Sequence, residues 1–283
     1  MSALRPRRSA LYMPAANARA IEKSRSLDCD VVILDLEDAV APEAKAEARR
    51  QAVDAVQAGG FGRREVVIRV NGLDTPWGAD DLAAAAAARP DAILAPKVSS
   101  PEDVAAYAAA SGDCPLWAMI ETCGCLFRLD AIAAAARNTP LTAWVIGTND
   151  LAKEMRCRLD VERRPLQAAL SLAVAAARAE GLVILDGVYN ALEDDAGLER
   201  QCRQGVEFGF DGKTLIHPRQ VPVANTVFTP TEDEVRWART VVDAFAQPEN
   251  AGKGVLRVEG RMVERLHLEE ARRALAIADA VGA

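Results

Sequence analysis

The chain contains 283 residues, half of them hydrophobic, and its 41 acidic and 34 basic residues leave a net charge of -7. This length is enough to bury the core of one large barrel or of two smaller domains. Basic residues are scattered apart from the cluster Arg5-Pro6-Arg7-Arg8, so the composition predicts no nucleic-acid partner. Alanine-rich runs such as Ala83–Ala88 are interrupted by charges, which favours amphipathic surface helices over a membrane span.

The cysteine pattern predicts reduced thiols and a cytoplasmic protein. The sequence has six cysteines and two histidines, without a Cys-x-x-Cys pair or a zinc-like spacing. Cys123-Gly124-Cys125 could be a redox or metal-binding pair, but two small buried thiols are the simpler interpretation. No signal-peptide pattern precedes Arg5, and this also favours the cytoplasm.

Short strand-like runs alternate along the chain with segments of helical pattern. The predicted strands are Ser9–Met13, Val31–Leu36, Glu65–Val70, Ala92–Ala95, Leu116–Ile120, Ala143–Ile146, Val183–Leu185 and Lys213–Ile216. The predicted helices include Pro14–Leu27, Pro42–Gln57, a helix that begins at Pro101 after an N-cap serine, Phe127–Arg137, Pro165–Glu180 and Asp194–Arg203. This alternation predicts a (β/α)8 TIM barrel, with a doubly wound open sheet as the alternative.

Polar and charged residues follow the predicted strands at their carboxyl ends, and this placement favours the barrel. These residues are Glu37, Asp38, Arg69, Asn71, Lys97, Glu121, Asp150, Asp186 and His217. In a barrel the carboxyl ends of all strands meet at one mouth, where active sites form. In an open sheet the same residues would be spread along an edge.

The composition changes near residue 230, so we predict a barrel over residues 1–229 and a helical extension over residues 230–283. Thr231 and Glu234 have the spacing of a capping box at the start of a helix. A turn is predicted at Gly260, followed by a last helix. The extension is surplus to the eight strand–helix units, and could cover the barrel mouth of its own chain or of a neighbour, or merely a barrel end.

The segment Val31–Asp38 (VVILDLED) ends a buried strand with three carboxylates. Crowded and desolvated carboxylates favour a positive partner, which could be a metal ion or a guanidinium. Arg69 lies in the next apolar strand and needs a carboxylate, phosphate or oxyanion in return. The alternatives are that the acids cap the next helix or pair with surface lysines, and that Arg69 forms only a structural ion pair.

Glu121 and Asp150 are the candidate metal ligands. Each follows an apolar strand, and neither has a histidine or a thiolate arranged with it as in a zinc site. Carboxylate oxygens favour Mg²⁺ or Mn²⁺ and leave coordination positions open for water and substrate. The alternative is that both residues cap the helices that follow them.

Lys97 and His217 each have two interpretations. A lysine at the end of a barrel strand can form a Schiff base, and it can equally bind a phosphate as a point charge. His217 precedes Pro218, and a backbone-contacting structural role is favoured over a role as a catalytic base.

Seven motifs follow one another along nearly the whole chain. They are Arg8–Pro14 (RSALYMP), Asp35–Val40 (DLEDAV), Val67–Gly72, Ala95–Lys97, Glu121-Thr122, Gly147–Leu151 and Gly212–Pro218. In this combination the sequence resembles the citrate lyase beta-subunit-like branch of the HpcH/HpaI aldolase family. The resemblance implies a TIM barrel, Mg²⁺, and as substrate a coenzyme A thioester of a 3-hydroxy acid such as malyl-CoA or citramalyl-CoA.

The resemblance also implies roles for residues of the barrel mouth. Glu121 and Asp150 are expected to hold Mg²⁺, with Glu37 and Asp38 orienting its waters. Arg69 is expected to contact the thioester or enolate oxygen. The first expectation is therefore a lyase, in which Mg²⁺ lowers the pKa of the 3-hydroxyl group, the C2–C3 bond breaks, and acetyl-CoA and a 2-oxo acid are released.

Four further residues are implied to contact coenzyme A. Tyr12 and Lys23 are expected along the coenzyme, and Ile216 and His217 near its far end. Asn17 stands where the family has a CoA-contacting arginine in the first loop after a strand. That difference bears on CoA affinity rather than on the fold.

The carboxyl-terminal segment leaves the reaction type open. In malyl-CoA lyase relatives the segment that corresponds to Val258–Glu264 ends in an aspartate that reaches a neighbouring subunit, which implies a homo-oligomer, a trimer or a multiple of it. Glu264 could protonate an enolate, or activate water as in a malyl-CoA-type thioesterase, or merely begin a helix. A Schiff-base aldolase that uses Lys97 and a non-catalytic CoA-binding subunit of a larger complex are further alternatives.

Overall fold

Eight parallel strands form a closed barrel in which each strand pairs with the next one along the chain. The computed structural model describes residues 5–282. The strands are β1 (Ser9–Pro14), β2 (Val31–Asp35), β3 (Glu65–Arg69), β4 (Ala92–Ala95), β5 (Leu116–Ile120), β6 (Leu141–Ile146), β7 (Val183–Asp186) and β8 (Gly212–Leu215). β1 pairs with both β2 and β8, which closes the barrel. The predicted TIM barrel is confirmed.

Helices connect the strands and continue beyond the last of them. They are α1 (Ala18–Ser24), α2 (Lys45–Ala58), α3 (Gly78–Ala88), α4 (Pro101–Ser111), α5 (Cys123–Leu126), α6 (Leu129–Ala134), α7 (Thr148–Glu154), α8 (Gln167–Ala179), α9 (Asp195–Phe208), α10 (Val221–Val227), α11 (Glu232–Ala246) and α12 (Arg265–Val281). Helix α4 begins as predicted, because the Ser100 side chain accepts the N–H of Asp103 and Pro101 occupies the first turn.

Several predicted helices have different bounds in the structure, and two of these differences have a clear local cause. Helix α1 is shorter than predicted, because Pro14 still pairs with β2 and Asn17 caps the helix by accepting the N–H of Ala20 at 3.1 Å. The helix predicted over Phe127–Arg137 begins later, as α6 at Leu129, because Arg128 has non-helical dihedral angles (φ -138°, ψ 18°) and separates α6 from the short helix α5 before it.

Alternate strand residues point into the barrel and fill it. The buried interior contains Ala10, Val31, Ile33, Val67, Ala92, Leu94, Trp117, Met119, Ala143, Val145 and Leu185. Residues between these positions face the helices, because side chains alternate along a strand. The same alternation sorts the polar residues at the strand ends into an inward set and an outward set.

Residues 226–282, together with Arg5 and Pro6, form a second compact unit, and residues 7–225 form the barrel unit. The predicted capping box is present at the start of α11, where Thr231 and Glu234 exchange hydrogen bonds. A hairpin of β9 (Val255–Val258) and β10 (Arg261–Glu264) turns at Glu259 and Gly260, which both have positive φ, as a two-residue hairpin turn requires. Helices α11 and α12 pack with this hairpin around their own apolar core.

None of the helices within residues 5–282 combines the length and the apolar character that a membrane crossing requires.

Candidate active site

Arg69 ends β3 inside the mouth of the barrel, where it is 7% exposed. Its Nε and Nη2 donate to Oδ1 and Oδ2 of Asp35, the last residue of the neighbouring strand β2, at 2.7 Å each. A paired and hydrogen-bonded guanidinium tolerates burial. The predicted acidic partner of Arg69 is confirmed, and it is Asp35 of the DLED segment.

The third nitrogen of Arg69 faces different neighbours. Nη1 lies 2.9 Å from Oε2 of Glu37 and 3.7 Å from Oδ2 of Asp38. It also donates to the sulfur of Met119 at 3.6 Å. The guanidinium stacks on the ring of Tyr12 at 4.8 Å, and burial raises the pKa of that tyrosine, so the hydroxyl stays neutral.

Asp35 also fixes the loop that follows its strand. Its Oδ1 accepts the N–H of Glu37 at 2.9 Å and its Oδ2 accepts the N–H of Ala39 at 3.2 Å. The carboxylate is 1% exposed and has four hydrogen bonds from three residues. One side chain therefore sets both the Arg69 guanidinium and the loop that carries Glu37 and Asp38.

Glu121 follows β5 and is 1% exposed. Its Oε1 accepts the N–H of Lys97 at 2.8 Å, whereas its Oε2 has no hydrogen-bond partner among residues 5–282. The pKa of Glu121 is raised from 4.5 to about 7, chiefly by burial and also by the charges of Glu37 and Asp150, against the opposing effect of the Lys97 N–H and Arg69. A buried carboxylate oxygen without a donor is costly, so this atom is suited to a cation.

Asp150 approaches Glu121 from the next strand. It lies in the first turn of α7, half-buried, three residues after Gly147. A Cβ atom on Gly147 would lie 2.2 Å from Oε2 of Glu121, so only glycine lets this loop pass so close to the carboxylate. The two candidate ligands therefore come from adjacent strands and approach each other at the mouth.

The side chains present fit a divalent cation. Carboxylates at the mouth outnumber cations there, with Asp35, Glu37, Asp38, Glu121 and Asp150 against Arg69 and Lys97. In the part of the chain that the structure describes, no three His, Cys, Asp or Glu side chains are close enough to hold a metal together. A cation here would thus take two protein carboxylates and fill its other positions with water and substrate oxygens, as Mg²⁺ does.

Lys97 joins two of these acids. Its backbone, at φ 52°, donates to Glu121, and its Nζ pairs with Oε1 of Glu37. Burial lowers the pKa of Lys97, but the bond and charge of Glu37 outweigh burial and raise it above the usual value. A Schiff base requires a neutral amine, so this pairing disfavours the aldolase interpretation.

Glu37 lies between Arg69 and Lys97 and is 8% exposed. Burial raises its pKa, and the two cations oppose that shift. Its Oε2 is near Arg69 but receives no aligned hydrogen bond within the described chain. Glu37 therefore has an oxygen that remains able to accept a proton or a water hydrogen.

Two residues that the sequence placed at the mouth point instead to the helices. The Asn71 amide donates to Asp81 at 2.5 Å and accepts from Nζ of Lys45 at 2.8 Å. Lys45 also holds the carbonyl oxygens of Leu36 and Glu37 at 2.7 and 2.6 Å. The expectation that the Asn71 side chain faces the mouth was wrong, because β3 ends at Arg69 and strand alternation no longer sets the direction of Asn71, whose amide binds Asp81 and Lys45 and supports the loop from behind.

Asp186 is the second outward residue. It is fully buried and accepts from Arg163 at 2.5 Å and from Lys213 at 3.1 Å. Burial would raise the pKa of Asp186, but these two cations outweigh burial and lower it. The expectation that Asp186 joins the mouth was wrong, since it belongs to a buried ion-pair cluster beside β8.

The residues implied to contact coenzyme A lie in β1, in α1 and in the loop after β8. Lys23 is exposed in the last turn of α1, and Tyr12 is half-buried under Arg69. Ile216 is 39% exposed, and His217 is exposed beside it. The Nδ1 of His217 accepts the N–H of Arg219 at 3.2 Å, which agrees with the backbone-contacting interpretation of this histidine.

A cavity of about 560 Å³ lies away from this site, between the loops that precede β4 and β5. Its lining includes Arg89, Pro90, Ser111, Gly112 and Cys114. These loops are at the amino ends of the strands, whereas catalytic groups of TIM barrels gather at the carboxyl ends. The mouth is therefore the candidate active site.

Known proteins resemble the chain in both sequence and structure. The family described as HpcH/HpaI aldolase/citrate lyase matches residues 8–218. A (3S)-malyl-CoA thioesterase from Cereibacter sphaeroides (strain KD131 / KCTC 12085) is 49% identical over 278 residues, which cover 98% of this chain and 96% of the relative. The citrate lyase subunit beta of Escherichia coli (strain K12) is 33% identical over 289 residues, which cover 98% and 95%.

A solved structure aligns over the full length. The protein CitE from Mycobacterium tuberculosis, crystallised in complex with magnesium, acetoacetate and coenzyme A, superposes with a TM-score of 0.78 at 28% sequence identity. The alignment covers 100% of this chain and 99% of that one.

Proposed function

Because the chain belongs to the HpcH/HpaI aldolase/citrate lyase family, we propose that it is a Mg²⁺-dependent enzyme of carboxylated 3-hydroxyacyl-CoA thioesters, with malyl-CoA as the substrate. Relatives of this chain are named (3S)-malyl-CoA thioesterase and citrate lyase subunit beta, which supports an enzyme of this substrate class. The substrate, the metal and the reaction type are the parts that we propose.

The observation that carries this proposal is the unpaired Oε2 of Glu121. A carboxylate that is 1% exposed, lacks a hydrogen-bond donor on one oxygen in the described chain, and lies beside Asp150 is a ready ligand for a hard cation. Mg²⁺, or Mn²⁺ with the same ligand preference, would supply Lewis-acid polarisation of a substrate oxygen when bound. The metal-bound complex of CitE supports the choice of magnesium.

Two residues of the chain would then have separate roles at the thioester. Nη1 of Arg69 is suited to stabilise negative charge that develops on the carbonyl oxygen, in a site where burial strengthens electrostatic interactions. Glu37 is suited to orient water, because its pKa is raised by burial and one oxygen receives no aligned hydrogen bond within residues 5–282. Neither role requires a covalent nucleophile.

We place thioester hydrolysis first and carbon–carbon cleavage second. The 49% identity to a malyl-CoA thioesterase favours hydrolysis, whereas the sequence motifs alone favoured the lyase. The lyase remains a candidate because the same arrangement of Arg69 and a metal-binding pair would stabilise an enolate as well as a tetrahedral intermediate. Both reactions start from one bound substrate, and their products differ.

One reaction distinguishes these two functions. Malyl-CoA is incubated with the enzyme and Mg²⁺, and both glyoxylate and free CoA thiol are measured, with a parallel reaction in EDTA. Free thiol with little glyoxylate is the expected result. Glyoxylate with little free thiol would make the enzyme a lyase, and product formation that survives EDTA would overturn the metal assignment.

The coenzyme A contacts remain proposals that rest on Tyr12, Lys23, Ile216 and His217. Lys23 is the exposed cation among them and is suited to a phosphate of the coenzyme. Loss of Lys23 should therefore weaken binding more in low salt than in high salt, because salt screens exposed charges.

We also propose that Glu264 acts at the barrel mouth of a second copy in a homo-oligomer. In its own unit Glu264 begins α12, where its N–H donates to Nδ1 of His267 at 2.9 Å. A helix cap explains this contact without catalysis, so the two roles must be separated by experiment.

Glu121→Gln and Glu264→Gln should each be inactive alone, and mixed subunits of the two should regain activity if Glu264 acts in trans. Unchanged activity in Glu264→Gln alone would reduce this residue to the helix cap.

A further inference from the structure

The geometry around Arg69 shows which part of its guanidinium is available to a substrate. Nε and Nη2 are both bonded to Asp35 at 2.7 Å. Nη1 makes no bond to that carboxylate. Its neighbours are the thioether of Met119, a weak acceptor, at 3.6 Å, and Oε2 of Glu37, which lies at 2.9 Å but is not aligned for a hydrogen bond.

Nη1 is therefore the nitrogen with unused donor capacity. A charged donor that faces weak or misaligned acceptors gains most when a strong acceptor arrives in line with its N–H bonds. A thioester oxygen that becomes an oxyanion is such an acceptor. Nη1 forms an ion pair with Glu37 at 2.9 Å but donates no aligned hydrogen bond to it, so an oxyanion in line with an N–H of Nη1 gains a bond that the ground state lacks.

We propose that Asp35 is a positioning residue that holds Nε and Nη2 so that Arg69 presents Nη1 to the substrate oxygen. This inference rests on the proposed function of Arg69 at a thioester. Asp35 itself is 1% exposed and acts only through the guanidinium. The two-pronged contact fixes both the position and the plane of the guanidinium, which a single hydrogen bond would not do.

Stacking on Tyr12 supplies the second constraint. The ring lies 4.8 Å from the guanidinium carbon and restricts rotation out of the plane, whereas Asp35 restricts rotation within it. Catalytic groups must be held to within about half an ångström of their productive position. A misplacement of about 1 Å can reduce a rate by about 100-fold.

A competing explanation is that Asp35 matters only for its loop. Asp35 accepts the N–H groups of Glu37 and Ala39, so its loss also loosens the segment that carries Glu37. A double-mutant cycle with Arg69→Lys separates the two roles. Lysine keeps the charge but cannot make the two-pronged contact, so a positioning role disappears in that background while a loop role persists.

The same strand offers a matched control. Asp30 immediately precedes β2, is 6% exposed, and binds Nε and Nη2 of Arg8 at 2.8 Å each. Asp30→Asn removes a buried aspartate–arginine pair of the same kind from the opposite end of the barrel. It controls for the loss of stability without touching the mouth.

The experiment measures kcat and KM for malyl-CoA, and the thermal midpoint, for wild type, Asp35→Asn, Arg69→Lys, the double variant and Asp30→Asn. We expect Asp35→Asn to lower kcat by roughly 10- to 100-fold while KM changes less than about threefold. In the Arg69→Lys background the same substitution should cost less than about threefold in kcat. Asp30→Asn should retain the kcat of the wild type.

Other outcomes overturn the inference. If Asp35→Asn lowered kcat equally in the wild-type and Arg69→Lys proteins, Asp35 would support only the loop. A wild-type kcat in Asp35→Asn would show that Asp35 neither positions Arg69 nor supports the loop in catalysis. If Asp35→Asn does not fold, Asp35→Glu takes its place, because glutamate keeps the charge but displaces both carboxylate oxygens. A wild-type kcat in Asp35→Glu would refute the positioning role of Asp35. A wild-type enzyme without turnover of malyl-CoA overturns the proposed function and with it this inference.

Discussion

The two ends of the barrel differ in how their buried charges are paired. At the amino end, Arg7 binds both oxygens of Glu65 at 2.6 and 2.7 Å, and Arg8 binds both oxygens of Asp30 at 2.8 Å. The Arg7 guanidinium also stacks on Trp117 at 4.9 Å. Each of these carboxylates has its own arginine, so the charges at this end are matched.

At the carboxyl end the charges are not matched. Asp35 is paired with Arg69 in the same way as Asp30 with Arg8, but the acids around this pair exceed the cations. Within the described residues, Oε2 of Glu37 and Oε2 of Glu121 are buried and receive no hydrogen bond. The amino end is arranged for stability, whereas the mouth retains unmatched negative charge that a cation would stabilise.

The strongest test of this difference removes a candidate ligand at the mouth. Glu121→Gln and Asp150→Asn should each lower Mg²⁺-dependent turnover by roughly 1,000-fold or more, because the cation loses one of its two protein carboxylates. Titration calorimetry with Mg²⁺ should show the loss of binding directly. Normal metal affinity in either variant would remove that residue from the site.

Asp30→Asn is the control from the other end for this test. It removes the carboxylate charge that faces the buried Arg8, so the free energy of unfolding should fall by about 3 kcal/mol. The Mg²⁺ affinity and the kcat of the folded fraction should not change. If this variant also lost metal binding, the effects at the mouth would reflect general damage to the barrel.

The raised pKa of Glu121 predicts how pH affects the metal-free protein. A carboxyl group whose pKa rises from 4.5 to about 7 on folding binds protons more tightly in the folded state. The free energy of unfolding should therefore fall as pH rises from about 4.5 to about 7, and this group contributes about 3 kcal/mol of that decrease. Urea unfolding in EDTA at several pH values measures it.

Glu121→Gln should remove this part of the pH dependence. The variant should become more stable than the wild type above about pH 7 in EDTA, although it is inactive with Mg²⁺. Glu37, Asp150, Arg69 and Lys97 face the same region in both proteins, so the difference between the two curves measures the charge of Glu121 together with its effect on these neighbours. Parallel curves would show that Glu121 is not destabilised in the folded protein.

The sequence was sufficient for the fold because strand–helix alternation is a repeated local signal. All eight strands appear within a few residues of their predicted bounds, and the predicted turn at Gly260 joins β9 and β10. The errors are at helix starts and ends. Pro14 and Asn17 illustrate them, since strand pairing and a capping side chain decide where α1 begins.

The site was predictable only in part. Residue types at strand ends identified Arg69, Glu121 and Asp150, but Asn71 and Asp186 carry the same signal and point outward. Asp186 follows the inward-facing Leu185 and therefore points to the helices, whereas Asn71 lies two residues beyond the end of β3, where strand alternation no longer decides the direction. Lys45 gave no signal in sequence, because a lysine on a helix is ordinarily exposed, and here it is 5% exposed beneath the β2 loop.

Gly147→Ala is the smallest of the proposed changes at the mouth. A methyl group there would lie 2.2 Å from Oε2 and 2.5 Å from Cβ of Glu121, so Gly147→Ala should displace the carboxylate without altering any charge. Backbone strain is not the cause, because Gly147 has φ -98°, which alanine adopts readily. We expect Mg²⁺ affinity to weaken by about 10- to 100-fold, as when the support of a metal ligand is disturbed.

Gly124→Ala is the matched control for Gly147→Ala. Gly124 lies in α5, just after Glu121, and the nearest atom to an added Cβ is a guanidinium nitrogen of Arg128 at 3.6 Å, an ordinary contact. This variant should bind Mg²⁺ as the wild type does. If Gly147→Ala bound Mg²⁺ as well as the wild type does, the close approach of the two loops would have no part in holding the cation. The unpaired negative charge at the mouth would then not depend on this glycine.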